Sequence, residues 1–239
     1  MFITKTIREF LEKKGYRVFN QENLPTGIDL ALDLQRIPQT PDLQIIFDIG
    51  ANEGQTVFAM RKQFPQAKIH AFEPVAETFS RLKENTKNLP DLITENIALG
   101  DTTRTQEIAL HKNSHINSLR SIKPSNDNTK TESISVVTLD EYCSKNGIKK
   151  IDLLKIDTEG FEIEVCKGAA KTLKEATIPF ILAEVDFRNE RSGHTPYCEL
   201  SQYLAPYGFK THAFYDISHS PDDPRDINYC NVLFARNSS

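Results

Sequence analysis

From residue 44 onward the chain alternates short apolar runs with amphipathic stretches. "QIIFDIG", "AKIHAFEP" and "DLITENIALG" have the length and composition of strands. Between them, "GQTVFAMRKQF" and "AETFSRLKENTKNL" place apolar residues at helical spacing. Such alternation predicts βαβ units and a parallel sheet. The rhythm breaks from Thr102 to Val137, where "TQEIALHK" and "ESISVVTL" predict strands around the polar, turn-rich "NSHINSLRSIKPSNDNTKT". An insertion beside a sheet is a natural place for a ligand-covering loop. The alternation then resumes. "IDLLKIDTEG" is nearly continuously apolar, as a strand buried on both faces should be. "EIEVCKGAAKTLKEA" predicts its helix, "IPFILAEVDF" the next buried strand, and "YCELSQYLAPYG" a further helix. "FKTHAFYD" and "NYCNVLFAR" predict a closing antiparallel hairpin. The expectation is one doubly wound α/β domain over residues 44–239, with a β insertion around 102–137.

Residues 1–43 read as a helical extension. One helix is expected over about residues 3–14, with Phe2, Ile3, Ile7, Phe10 and Leu11 on one face. A second lies in "GIDLALDLQRI", closed by Pro38 and Pro41. Neither has the apolar run of a signal peptide or a membrane span, so stable membrane insertion is not expected. Packing on the domain is the first reading of these helices; a lid, a homodimer contact or a docking surface are the others.

The 239 residues, 38% hydrophobic and 26% charged, suit a globular chain with a real core. A formal net charge of −4 argues against a broad surface that tracks nucleic-acid phosphates. Cys143, Cys166, Cys198 and Cys230 stand singly, with no metal-ligand spacing. Idle thiols of this kind fit a reducing compartment, and a cytoplasmic location is expected.

The turn "DIGANEG" follows the first strand and opens a helix, the position at which open α/β sheets bind ligands. Gly50 permits a tight turn, and Gly54 lets the helix start close to a ligand or to the sheet. Glu73 ends the second strand, where a carboxylate can accept hydrogen bonds from both ribose hydroxyls. A dinucleotide fingerprint would need glycines at 52 and 55, which are Asn52 and Gln55. A phosphate-binding GxxxxGK[ST] loop is absent too. S-adenosylmethionine has a ribose, no phosphate, and two cationic groups. Asp48, at the start of the turn, suits those cations better than a pyrophosphate. A plain strand–turn–helix with incidental glycines is the blander alternative.

Together these stretches carry a resemblance. "FDIGANEGQT", "HAFEPVAETFSRLKENT", "NIALGD", "NSL", "VVTLDEYC", "IDLLKIDTEGFEIEVCKGA" and "NVLFA" occur in one order between residues 44 and 235. In that order the chain resembles the FkbM-type methyltransferases, a branch of the class I S-adenosylmethionine-dependent methyltransferases. The resemblance implies a Rossmann-like seven-stranded sheet with a last antiparallel strand, and O-methylation of a hydroxyl on a sugar, glycan or natural-product intermediate. It implies that Asp48, Gly50, Asn52 and Gly54 line the methionine end of the cofactor. Glu73 would hold the ribose, with Pro74 behind it. Asn96, Ile97 and Ala98 would flank the adenine, and Ser118 and Leu119 would reach over the cofactor. Asn52, in place of a middle glycine, is a mark of the family.

Methyl transfer is an in-line displacement that needs alignment and removal of the acceptor's proton. "KIDTEG" supplies the first candidates. Lys155 and Asp157 should share one face of their strand, with Asp157 at its carboxyl end and Glu159 in the following loop. Glu184 ends the next strand, Asp186 follows two residues on, and His194 sits in a polar loop beyond. Asp157 and Glu159 rank above Glu184 and His194 as catalytic groups. Asp157 could instead order the cofactor's amine or cap a helix, Glu159 could be a helix N-terminal acid, and His194 a solvated loop residue. Lys155 could hold an acid's charge. Asp157, Glu184 and Asp186 could offer oxygen ligands to Mg²⁺ or Ca²⁺. Nothing in their spacing demands a metal, and none is expected to be obligatory. The rival functions are a nicotinamide oxidoreductase, which lacks its fingerprint here; an RNA or protein methyltransferase, disfavoured by the acidic balance; and a non-catalytic binding module.

Overall fold

The computed structural model describes residues 5–38, 40, 42–110, 130–187 and 194–236. It divides into two compact units, Met1–Thr40 and Pro41–Ser239. In the first, helix α1 (Lys5–Lys13) and helix α2 (Leu30–Arg36) flank a loop. Arg36 ties that loop down by donating to the carbonyls of Leu24 (2.8 Å) and Gln21 (2.8 Å). Asp29 caps α2, accepting from the Leu32 amide at 3.0 Å.

The second unit is built on β1 (Ile45–Ile49), β2 (Lys68–Phe72) and β3 (Leu92–Glu95). A short β4 (Ala98–Leu99), β5 (Arg104–Ala109) and β6 (Thr131–Val137) come next, then β7 (Leu153–Ile156), β8 (Phe180–Asp186), β9 (Phe209–His219) and β10 (Ile227–Arg236). The main sheet has seven strands in the order β3-β2-β1-β7-β8-β10-β9. The first five run parallel, and β10 runs antiparallel to both its neighbours. The expected closing hairpin therefore forms, with its second strand inserted beside β8. Helices α3 (Gln55–Gln63) and α4 (Ala76–Thr86) follow β1 and β2. Helices α5 (Leu139–Asn146), α6 (Glu162–Lys167), α7 (Ala170–Lys174) and α8 (Tyr197–Leu204) follow later. Among the described residues, no helix is long and apolar enough to cross a membrane.

Alternation sorts the side chains of each strand between two faces. Phe47, Ile49, Leu154, Ile156, Ala183 and Val185 share one core cluster with Tyr142, Val165 and Leu200 from α5, α6 and α8. Each fully buried side chain of this size contributes about 1.5–3 kcal/mol. Asp48 and Lys155 lie on the other face, paired in the β1–β7 register.

Three local expectations change. The run "DLITENIALG" is not one strand. It breaks at Asn96, whose side-chain amide donates to the carbonyls of Glu73 (2.9 Å) and Pro74 (2.8 Å). Past the break the chain joins a second sheet, of order β4-β6-β5. "EIEVCKGAAKTLKEA" is two helices, because Gly168 runs against the backbone of Gly100; a Cβ there would lie 1.9 Å from the Gly100 oxygen. Helix α5, which the apolar rhythm does not announce, starts at Thr138, whose Oγ1 accepts from the Glu141 amide at 3.1 Å. Ser118 and Leu119 lie outside the described residues.

Candidate active site

The turn after β1 is fixed from two sides. The amides of Gly50 and Ala51 both donate to the Phe72 carbonyl at 3.0 Å. On the other side Gly50 meets the end of β7, where a Cβ would lie 1.8 Å from the Asp157 carbonyl oxygen. Only glycine fits there, and its φ of +80° adds a second reason. Asn52 is also left-handed (φ +48°), a conformation asparagine tolerates better than most residues. In that pose its amide donates to Glu73 Oε2 at 3.2 Å, while the Val75 amide donates to Oε1 at 3.0 Å. Glu73 is 7% exposed. Burial pushes its carboxyl up to about 7 against the pull of those two N–H donors.

These residues border a cleft with about 910 Å³ of empty space, its open mouth included. Gly50, Asn52, Glu73 and Pro74 line it, together with Ile97, Ala98, Asp157 and Glu159. Gln55, Thr56, Phe72, Val75, Ile108 and Thr158 also line it. Sequence reasoning missed these six, and Ile49, Ala51 and Leu99 on the same lining. Thr56 was within sight, in the first turn of the helix that opens at the glycine turn. Ile108 was not, because it comes from the small second sheet.

Three expected cofactor residues do not reach the wall. Asp48 is fully buried beneath it, with Oδ1 3.3 Å from Lys155 Nζ. That is an ion pair rather than a directed hydrogen bond, and Oδ2 has no hydrogen-bond partner among the described residues. Gly54 faces α4, where a Cβ would come 2.8 Å from Thr86 Cγ2. Its small size serves helix packing. Asn96 spends its side-chain amide on the backbone of Glu73 and Pro74, so it supports the wall from behind.

Lys155 is 3% exposed and also contacts Asp157 Oδ2 at 3.1 Å. Burial disfavours its charge, but Asp157 and Asp48 together more than offset this and hold it protonated. Burial pushes the Asp48 carboxyl upward, and Lys155 opposes that. Asp157 is thus presented to the cleft by a buried cation.

On the side of the cleft beyond Asp157, two neighbouring strand ends meet. Glu159, after β7, puts Oε2 3.1 Å from His194 Nδ1, just ahead of α8. Glu184, near the end of β8, joins them: one ligand atom from each of Glu159, Glu184 and His194 lies within 4.8 Å of the others. That composition could hold a divalent cation. Asp186, expected as an alternative oxygen ligand, is 2% exposed and outside the set. Burial, then Asp157 and Glu162, push the Glu159 carboxyl up to about 8. Burial, then Asp157, Glu159 and Glu162, push Glu184 to about 8, with Lys155 opposing both. The two carboxyls, so close together, titrate as a unit.

A parallel five-stranded run closed by an antiparallel strand, with a cleft beyond the ends of β1 and β2, is the architecture of the class I methyltransferases. The chain belongs to the methyltransferase FkbM domain family, whose model matches residues 48–211, and it is a methyltransferase. Among curated proteins it is similar to the 2-O-methyltransferase NoeI of Sinorhizobium fredii, with 29% identity over 66% of this chain and 69% of that one. It is also similar to the hexuronic acid methyltransferase AglP of Haloferax volcanii, with 28% identity over 59% of this chain and 55% of that one. The chain thus spans little more than half of the second relative's length. Among solved structures, fibrillarin from Aeropyrum pernix with bound S-adenosyl-L-methionine aligns over 86% of this chain and 72% of that one, at 14% identity and a TM-score of 0.49.

Proposed function

We propose that this enzyme is an S-adenosylmethionine-dependent O-methyltransferase acting on a hydroxyl of a small polyhydroxylated acceptor, a sugar, glycan or natural-product intermediate. The observation that carries the reading is one cleft with two chemically different ends. One end offers Glu73 and backbone turns to a neutral nucleoside; the other is lined by Asp157 and Glu159, and Glu184 and His194 stand next to Glu159 outside the lining. Glu73 keeps lone pairs for ribose hydroxyls beyond the two backbone donors it already accepts. The Gly50–Asn52 turn faces the methionine end, and Ile97 and Ala98 offer apolar contact to the adenine.

When bound, S-adenosylmethionine supplies a methyl group on a positively charged sulfur. The chain's own residues align the acceptor and take its proton as the new C–O bond forms and the C–S bond breaks. Asp157, fixed by Lys155, hydrogen-bonds the acceptor. The Glu159–His194 pair receives the proton, with Glu184 beside it. A carboxyl titrating near 8 is well matched to that work near neutral pH. Glu159 and His194 answer each other directly at 3.1 Å, which favours acid–base work over metal ligation, and the reaction is proposed to need no metal. The names of the two relatives, a 2-O- and a hexuronic acid methyltransferase, support a sugar-like acceptor.

Calorimetry with S-adenosylhomocysteine and NADH tests the donor half. The first should bind and the second should not; the reverse result would sink the reading. Transfer of labelled methyl from S-adenosylmethionine to glycan, RNA and peptide pools tests the acceptor half, with label expected in the glycan pool alone. The same assay in EDTA should be unchanged. Activity lost there and restored by Mg²⁺ would place a cation at Glu159, Glu184 and His194.

A further inference from the structure

Glu159, which meets His194 at 3.1 Å, has its backbone held in an unusual state. Its φ is +53°, and Gly160 follows at +101°, so two consecutive left-handed residues turn the chain out of β7. For a glutamate that conformation is disfavoured and persists only where neighbours enforce it. The neighbour here is Glu162, at the start of α6 and 1% exposed. Its Oε1 accepts from the Thr158 amide at 2.9 Å, the Thr158 hydroxyl at 2.9 Å and the Gly160 amide at 3.2 Å. One oxygen therefore grips the turn on both sides of Glu159. The other oxygen, Oε2, is buried and has no hydrogen-bond partner among the described residues.

We propose that Glu162 is the positioning residue of the proton-accepting pair: its buried Oε1 clamps the Thr158–Gly160 turn and so aims the Glu159 carboxylate at His194 beyond the carboxyl ends of the paired strands β7 and β8. The proposal rests on the catalytic reading above. Glutamine would satisfy the same three donors, so a buried acid at this position has a second effect. Glu159 faces Asp157, Glu162, Lys155 and His194; Glu184 faces Asp157, Glu159, Glu162 and Lys155. After burial and Asp157, the charge of Glu162 is among the influences that raise both carboxyls to about 8 and so make their ionised forms stronger proton acceptors.

Two conservative variants separate the clamp from the charge. Glu162→Asp keeps the charge but withdraws the oxygen from the turn. Turnover of a hexuronic acid acceptor should fall about 100-fold, the scale of a misplacement near one ångström, while affinity for S-adenosylhomocysteine stays within about threefold. Its crystal structure should show Glu159 beyond hydrogen-bond distance of His194, a result that needs no acceptor and so stands apart from the functional reading. Glu162→Gln keeps the oxygen and removes the charge. It should retain turnover within about fivefold and shift its pH–rate profile to lower pH. The proposal is overturned by an Asp variant with normal turnover or an intact Glu159–His194 contact, or by one that loses donor-site affinity in step with turnover. If the Asp variant does not fold, the Gln variant decides: inactivity, or an unshifted pH profile, overturns it.

Discussion

Glu73 reaches the cleft with each carboxylate oxygen already engaged by one backbone N–H, from Asn52 and from Val75. Its orientation is therefore set before any ligand arrives. Glu73→Ala should weaken S-adenosylhomocysteine binding about 10- to 100-fold by calorimetry, the loss expected of one or two hydrogen bonds to a charged group. Asp157→Asn should chiefly reduce turnover, since it leaves buried Lys155 facing Asp48 alone and removes a carboxylate from the cleft; normal methylation by both variants would refute the site assignment. At this scale the sequence discloses residue types better than partners. "DIGAN" shows that Asp48 is acidic, yet not that Lys155, more than a hundred residues later, lies beside it in the β1–β7 register. Charge reasoning aimed Asp48 at the ligand, whereas burial spends it on the lysine. His194 gave no local signal beyond its polar loop, because its partner Glu159 comes from a different strand end.

The elements that sequence patterning predicts are those whose cause is local. Apolar alternation and helical spacing over ten or so residues are enough to announce β1, β7, β8, α3 and α4. The breaks have distant causes, and the pattern is blind to them. Asn96 interrupts a strand in order to bond the carbonyls of Glu73 and Pro74, and Gly168 splits a helix where it meets Gly100. The second case is testable. Gly168 has an ordinary φ of −69°, so alanine there suffers only from the 1.9 Å approach of its Cβ to the Gly100 oxygen. Gly168→Ala should cost about 3 kcal/mol in urea unfolding. Gly147→Ala, with nothing within 4 Å but a φ of +67°, should cost about 1 kcal/mol. Equal losses would show that the α6–α7 break is not set by this contact.

At the scale of the whole molecule, four carboxyls among the described residues are raised by burial: Asp48, Glu73 to about 7, and Glu159 and Glu184 each to about 8. An unfolded chain releases the protons of the three glutamates near 4.5, so between there and about 8 the folded state binds more protons than the unfolded one. Stability contributed by the protonated forms is complete at the acid end of that window and declines as pH rises through it. The thermal midpoint should therefore fall from pH 5 to 8.5, and Glu184→Gln should flatten the decline; a wild-type midpoint that climbs over this range would contradict the burial of these groups. Chain order also partitions the cleft. The end around Glu73 is drawn from residues 49–108, whereas the other end is drawn from residues 157–159, backed by Glu184 and His194, and the two are joined at the contact between Gly50 and the Asp157 carbonyl. Such a division lets evolution revise the later segment, and with it the molecule that is modified, without disturbing the earlier one. Relatives that share the first segment and diverge in the second should differ in what they modify while drawing on a common source of methyl groups.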